Sequence, residues 1–111
     1  MAMATEEVIA EMVAKIVQEV DPEQVYLFGS RARGDAREDS DVDFLIVKGA
    51  GFDPQMERRH EEGRLYRALV RCPLPVEVLV YSADEVEYRR TGRNNVVARA
   101  LREGRLVYER P

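Results

Sequence analysis

GSRARGDAREDSDVDFLIV, residues Gly29 to Val47, joins two apolar runs through a loop dense in charge. Val25-Tyr26-Leu27-Phe28 stands before it, and Phe44-Leu45-Ile46-Val47 closes it. Short apolar runs bounded by polar segments are the pattern of buried strands. The spacing predicts a strand over Asp41 to Val47, and residues two apart on a strand share a face. Asp41 and Asp43 then point the same way, with Cα atoms roughly 6.6 Å apart at the usual strand rise. Two carboxylates on one face repel, which favours protonation of one of them unless a cation lies between. Hard divalent cations, magnesium above all, are commonly held by one or two carboxylates together with substrate phosphates. At the other end of the stretch, Gly29 lets the backbone come close to a ligand. Ser30 supplies a hydroxyl and can cap a helical turn whose free N–H groups face an anion. A hairpin with a solvated acidic loop would explain the polar residues, but not why both aspartates fall on one face.

Gly29-Ser30, ten intervening residues, then Asp41-Val42-Asp43 resembles the signature of the DNA polymerase beta-like nucleotidyltransferases. The fuller string GSRARG followed by SDVDFLIV is similar to the minimal nucleotidyltransferases, the MNT branch. The resemblance implies an α+β fold: a small mixed sheet, helices mainly on one face, and the site at the strand ends. It also implies in-line attack of an acceptor hydroxyl on the α-phosphate of a nucleoside triphosphate, ATP by preference, with release of pyrophosphate. Asp41 and Asp43 would hold magnesium, two ions in the family pattern, and Gly29 and Ser30 the triphosphate tail. Arg31, one residue past Ser30, is the loop arginine best placed to touch phosphate, which suits the planar donor fork of that side chain. Arg33 and Arg37 are equally readable as solvated or paired with Asp35, Glu38 or Asp39. Ser40 reads as a structural residue at the entry to the second strand.

The bulk properties bound this expectation. At 111 residues the chain has room for one domain with one core, taken as residues 1–111. Charged residues make up 34% and apolar ones 45%, an ordinary globular balance with a highly charged surface. A net charge of −4 argues against strong general nucleic-acid binding, which favours a basic face. Cys72 is the only cysteine, so no intrachain disulfide can form and a reducing cytoplasm fits. Neither a signal peptide nor an apolar span near twenty residues is visible, so no membrane association is expected.

In order, the spacing predicts an amphipathic helix from about Glu6 to Glu19, with Val8, Ile9, Met12, Val13, Ile16, Val17 and Val20 as its buried stripe. Thr5 is its expected N-cap, and Asp21-Pro22 its end. A strand follows at about Gln24 to Phe28. Beyond Val47, Lys48 to Pro54 is a loop, and residues 55–71 read as a helix. His60 lies there among Arg58, Arg59, Glu61 and Glu62, and without a second histidine or a nearby cysteine it reads as solvated rather than as a zinc ligand. A third strand, Val76 to Tyr81, puts Glu77 on the same face as Leu79 and Tyr81, where an acid is costly to bury without a partner. Ser82 to Glu85 has capping-box spacing. A last helix at about Asn94 to Arg102, closed by Gly104, leads into a short strand at Leu106 to Tyr108. Arginines 89, 90, 93, 99 and 102 make the C-terminal third locally basic, a solvated face or a surface for an acidic partner.

The resemblance assigns Glu77 a role as well. The family carries a third carboxylate on the strand after this helix, more often aspartate than glutamate, completing the metal site and helping to deprotonate the acceptor. Relatives of this kind are frequently paired with helical HEPN-domain proteins, and some are antitoxins that transfer AMP onto a tyrosine of the toxin, a type VII-like pair. Two other functions fit the same residues: a binding module that neutralises a helical partner with little or no catalysis, and transfer to a small molecule such as an antibiotic.

Overall fold

The two apolar runs flanking the glycine-serine loop pair with each other, and the rest of the chain is added to that hairpin. A computed structural model describes residues 4–111. Strands β1 (Gln24–Phe28) and β2 (Val42–Lys48) are antiparallel, with Phe28 opposite Asp43 and Gln24 opposite Val47. Strand β3 (Val76–Ser82) lies parallel to β2, and β4 (Arg105–Glu109) antiparallel to β1, giving the mixed order β3-β2-β1-β4. The third strand can be parallel because α3 (Pro54–Leu69) carries the chain back across the sheet, as parallel pairing demands.

Period-two alternation divides the sheet between two cores. Val25 and Leu27 of β1, Val42, Phe44 and Ile46 of β2, and Val78 and Val80 of β3 pack against α1 (Thr5–Val20) and α3. Phe28, Leu45 and Val47 face α4 (Ala83–Arg89) and α5 (Val96–Glu103), meeting Val86, Val97 and Ala100. The two sixteen-residue helices thus share one face of the sheet and the two short ones the other. Phe44, Met12, Ile16 and Leu65 are completely buried, each contributing roughly 1.5–3 kcal/mol from the area removed from water. Val13 and Val17, expected in the buried stripe of α1, are only partly covered and line a groove against β4.

Local signals account for most element ends. α1 starts one residue earlier than the polar pattern suggests. Thr5 is already helical, and Ala4 occupies the cap position without a side-chain bond. Asp21 ends the helix in the left-handed region, φ 46°, with its N–H on the Val17 carbonyl. Ser82 and Glu85 form the reciprocal capping box at α4, and Asn95 caps α5 through the Ala98 N–H. Gly104 turns the chain from α5 into β4 so tightly that a β-carbon there would fall 2.5 Å from the Leu27 carbonyl oxygen. Its smallness is what seats α5 against β1.

Among the described residues one charged pair is buried in this scaffold. Glu61 of α3 is 7% exposed, with the Lys48 ammonium 3.1 Å from its Oε1 and the Arg64 guanidinium 3.6 Å from its Oε2. Lys48 also donates to the Val20 carbonyl, tying the end of β2 to the end of α1.

Candidate active site

At one end of the sheet the strand registers converge on three acids. β2 begins at Val42, so Asp41 stands just ahead of the strand rather than within it. Asp43 follows the parity of Leu45 and Val47, and it looks toward the face that α5 covers. The parallel register places Glu77 beside Asp43, and the Val42 N–H bonds the Pro75 carbonyl at 2.9 Å, extending the pairing past both residues. Carboxylate oxygens of Asp41, Asp43 and Glu77 all lie within 4.8 Å of one another.

This crowding has an electrostatic signature. Burial, then the charges of Glu77 and Asp41, push the Asp43 carboxyl up from 3.8 to about 6, against a small opposing pull from Arg33. A divalent cation among the three oxygens would relieve all the raising effects together, since it compensates both desolvation and repulsion. An all-oxygen donor set suits a hard cation such as magnesium. The residues present therefore fit that ion.

The facing wall is made by the glycine-serine loop. Gly29 adopts φ 76°, a left-handed value open to glycine at little cost. It starts a single helical turn, α2 (Ser30–Arg33), with the Ala32 and Arg33 N–H groups on the Gly29 carbonyl. A cavity of about 520 Å³ opens between this loop, the acids and α5. Gly29, Ser30, Asp41, Asp43 and Glu77 line it, as do Phe28, Arg33, Ser40, Val96, Arg99 and Glu103.

Of the residues singled out by sequence, Arg31 is placed differently from the others. Its guanidinium donates to the carbonyls of Ser40 at 2.8 Å, Glu38 at 3.2 Å and Arg37 at 3.3 Å, and it is not among the cavity-lining residues. It pins the loop that delivers Asp41. Arg33 takes the cavity position instead, bridged to Glu103 at 3.1 Å and Asp35 at 3.4 Å. Ser40 holds the loop, its hydroxyl accepting the Arg37 N–H at 2.7 Å, and it also lines the cavity. His60 is exposed on α3. Sequence reasoning did not bring α5 to the site. Its only available signal was the spacing of Val96, Arg99 and Glu103, which places them along one helix face.

Comparison with known proteins agrees with this geometry. A protein from Sulfolobus solfataricus, taken to be a nucleotidyltransferase, superposes with a TM-score of 0.62 at 24% identity, over 94% of this chain and 79% of its own. A structure described as a minimal nucleotidyltransferase gives 0.55 at 26% identity, over 93% of this chain and 95% of the other. A toxin–antitoxin crystallised with AMP-PNP gives 0.55 at 18% identity, over 96% of this chain and 75% of its own. The likeness to the first and third is one of fold. Comparison with curated protein sequences gives no match. Residues 11–111 match the family model described as polymerase beta, nucleotidyltransferase, nearly the whole chain. The chain therefore belongs to the polymerase beta nucleotidyltransferase family.

Proposed function

We propose that residues 1–111 act as a single magnesium-dependent nucleotidyltransferase domain that moves AMP from ATP onto a hydroxyl of a partner protein. The observation that carries this is the cluster of Asp41, Asp43 and Glu77 facing Gly29 and Ser30 across one cavity. Asp41, Asp43 and Glu77 would hold magnesium, two ions in the family pattern. When bound, the metal supplies charge neutralisation and Lewis acidity at phosphate oxygens.

The remaining work falls to the chain. Gly29 keeps the loop backbone close to the acids, and Ser30 donates its hydroxyl to the triphosphate tail. Glu77, exposed and lining the cavity, would accept the proton of the acceptor hydroxyl as its oxygen attacks the α-phosphorus. The bond from that phosphorus to the bridging oxygen breaks, and pyrophosphate leaves with the electron pair. Positioning by a preformed site supplies much of the rate in such reactions.

A tyrosine of a helical HEPN-domain partner is the acceptor we favour, as in a toxin–antitoxin pair. That a toxin–antitoxin crystallised with AMP-PNP shares this fold supports the reading. Incubating the chain with a HEPN-domain protein encoded beside it, with ATP and magnesium, tests the proposal by intact-mass spectrometry. The expected outcome is mass added to the partner in units of AMP, lost in the Asp41→Ala, Asp43→Ala double variant. An unmodified partner that both proteins neutralise equally would assign the chain to binding without transfer.

A further inference from the structure

The cavity holds two arginines, and they are in different states. Arg33 is already neutralised, with Glu103 at 3.1 Å and Asp35 at 3.4 Å. Arg99 lines the same cavity from α5, is exposed, and forms no ion pair or side-chain hydrogen bond among the described residues. It sits in a stretch, residues 88–102, with five arginines and no carboxylate, in a chain whose net charge is −4. An uncommitted guanidinium at the rim of an acidic site awaits an anion, and its planar donor fork matches phosphate.

We infer that Arg99 binds the β- and γ-phosphates of the nucleoside triphosphate and receives the charge of the departing pyrophosphate. The inference rests on the transferase reading above. Asp41, Asp43, Glu77 and Glu103 make the cavity acidic, so the polyphosphate needs positive charge beyond the metal. Among the cavity's own side chains Arg99 alone offers it without first breaking an ion pair. When the bond between the α-phosphorus and the bridging oxygen breaks, the electron pair stays on pyrophosphate, and a guanidinium beside it stabilises that developing charge. Leaving-group binding is thus shared between Ser30 and α5, while Asp41, Asp43 and Glu77 serve the reacting phosphate.

Calorimetry with the intact chain separates the possibilities, using magnesium with α,β-methylene-ATP and, separately, AMP. Arg99→Gln should weaken the triphosphate analogue about tenfold or more, the loss of a charge-assisted hydrogen bond, and leave AMP affinity within twofold. Arg99→Lys should recover part of the loss. Arg102→Gln removes the same charge from the same helix outside the cavity lining, and should bind like wild type. Arg99→Gln binding the analogue as tightly as wild type would overturn the inference and leave the transferase reading intact. Equal weakening by Arg102→Gln would overturn it too, assigning the effect to the general field of the arginine-rich segment. Failure of the wild type to bind the analogue with magnesium would remove both the inference and the reading beneath it.

Discussion

Gly29 and Asp43 are in contact across the hairpin so closely that a β-carbon on Gly29 would lie 2.1 Å from Oδ2 of the aspartate. The obstacle is doubled by the backbone, because φ is 76° at this position. Gly29→Ala should therefore cost about 1–3 kcal/mol of stability in a denaturant titration. It should also abolish magnesium-dependent nucleotide binding, because Asp43 must swing away from Asp41 and Glu77. Unchanged binding by Gly29→Ala would mean that Asp43 need not hold this position.

The raised Asp43 carboxyl has a stability consequence with a definite sign. Between 3.8 and about 6 the folded chain holds more protons at this group than the unfolded chain, so metal-free stability falls as pH rises through that window. A shift of that size corresponds to at most about 3 kcal/mol, and partial exposure reduces it to about 1–2 kcal/mol. Asp43→Asn should accordingly be more stable than wild type by roughly that amount at pH 7 without metal, with the difference gone below pH 4. Magnesium should raise the wild-type stability and leave the variant unmoved. Parallel unfolding curves at about pH 3 and pH 7, with and without magnesium, measure all of this.

Glu77 reaches the other two acids with a glutamate's length, its oxygen already within 4.8 Å of theirs. Removing a methylene withdraws the carboxylate by about 1.3 Å, and misplacement near 1 Å costs on the order of a hundredfold. Glu77→Asp should slow transfer about ten- to a hundredfold, and Glu77→Gln at least as much. Nucleotide affinity should fall less than turnover, since Asp41 and Asp43 are untouched. Single-turnover rates at saturating magnesium decide it. A Glu77→Gln protein as fast as wild type would make Glu77 a surface acid.

Far from the cavity, Lys48→Met leaves Glu61 in its buried position without its nearest cation. Breaking a buried pair from one side costs about 3–5 kcal/mol, and the Arg64 guanidinium remaining 3.6 Å from Glu61 should hold the loss toward the lower end. The Lys48→Met, Glu61→Leu double variant should regain most of that loss, because neither charge is then left buried alone. Chemical denaturation of the three proteins measures the coupling.

Much of this organisation was legible from local pattern. Short apolar runs at Val25 to Phe28 and Phe44 to Val47 located the two central strands, and Asp21-Pro22, Gly104 and Ser82 ended or began elements where the sequence puts them. The face shared by Asp43 and Glu77 follows from strand parity once β2 and β3 are parallel. What local pattern does not carry is the partner of a long side chain. Arg31 and Arg33 are two residues apart and chemically alike, yet one is spent on the carbonyls of its own loop and the other on Glu103. That choice depends on where α5 lands, which is set by Gly104 meeting the Leu27 carbonyl, a contact between distant parts of the chain. α1 starts one residue before the position its sequence suggests for a simpler reason: Thr5 looks like a cap, but Ala4 carries the cap geometry.

The parallel pairing of β2 with β3 also bears on the order in which the chain assembles. Gly29, Asp41 and Asp43 belong to a hairpin whose connection, Gly29 to Asp41, is shorter than the crossover through α3 that must fold back before Glu77 reaches Asp43. Short closures cost less entropy and form sooner than long ones. A nascent or partly unfolded chain would thus present a two-carboxylate half-site before the third acid arrives. The mutual repulsion of the acids is met at the moment the crossover docks, so a cation that bridges them would ease that docking as well as the chemistry that follows it.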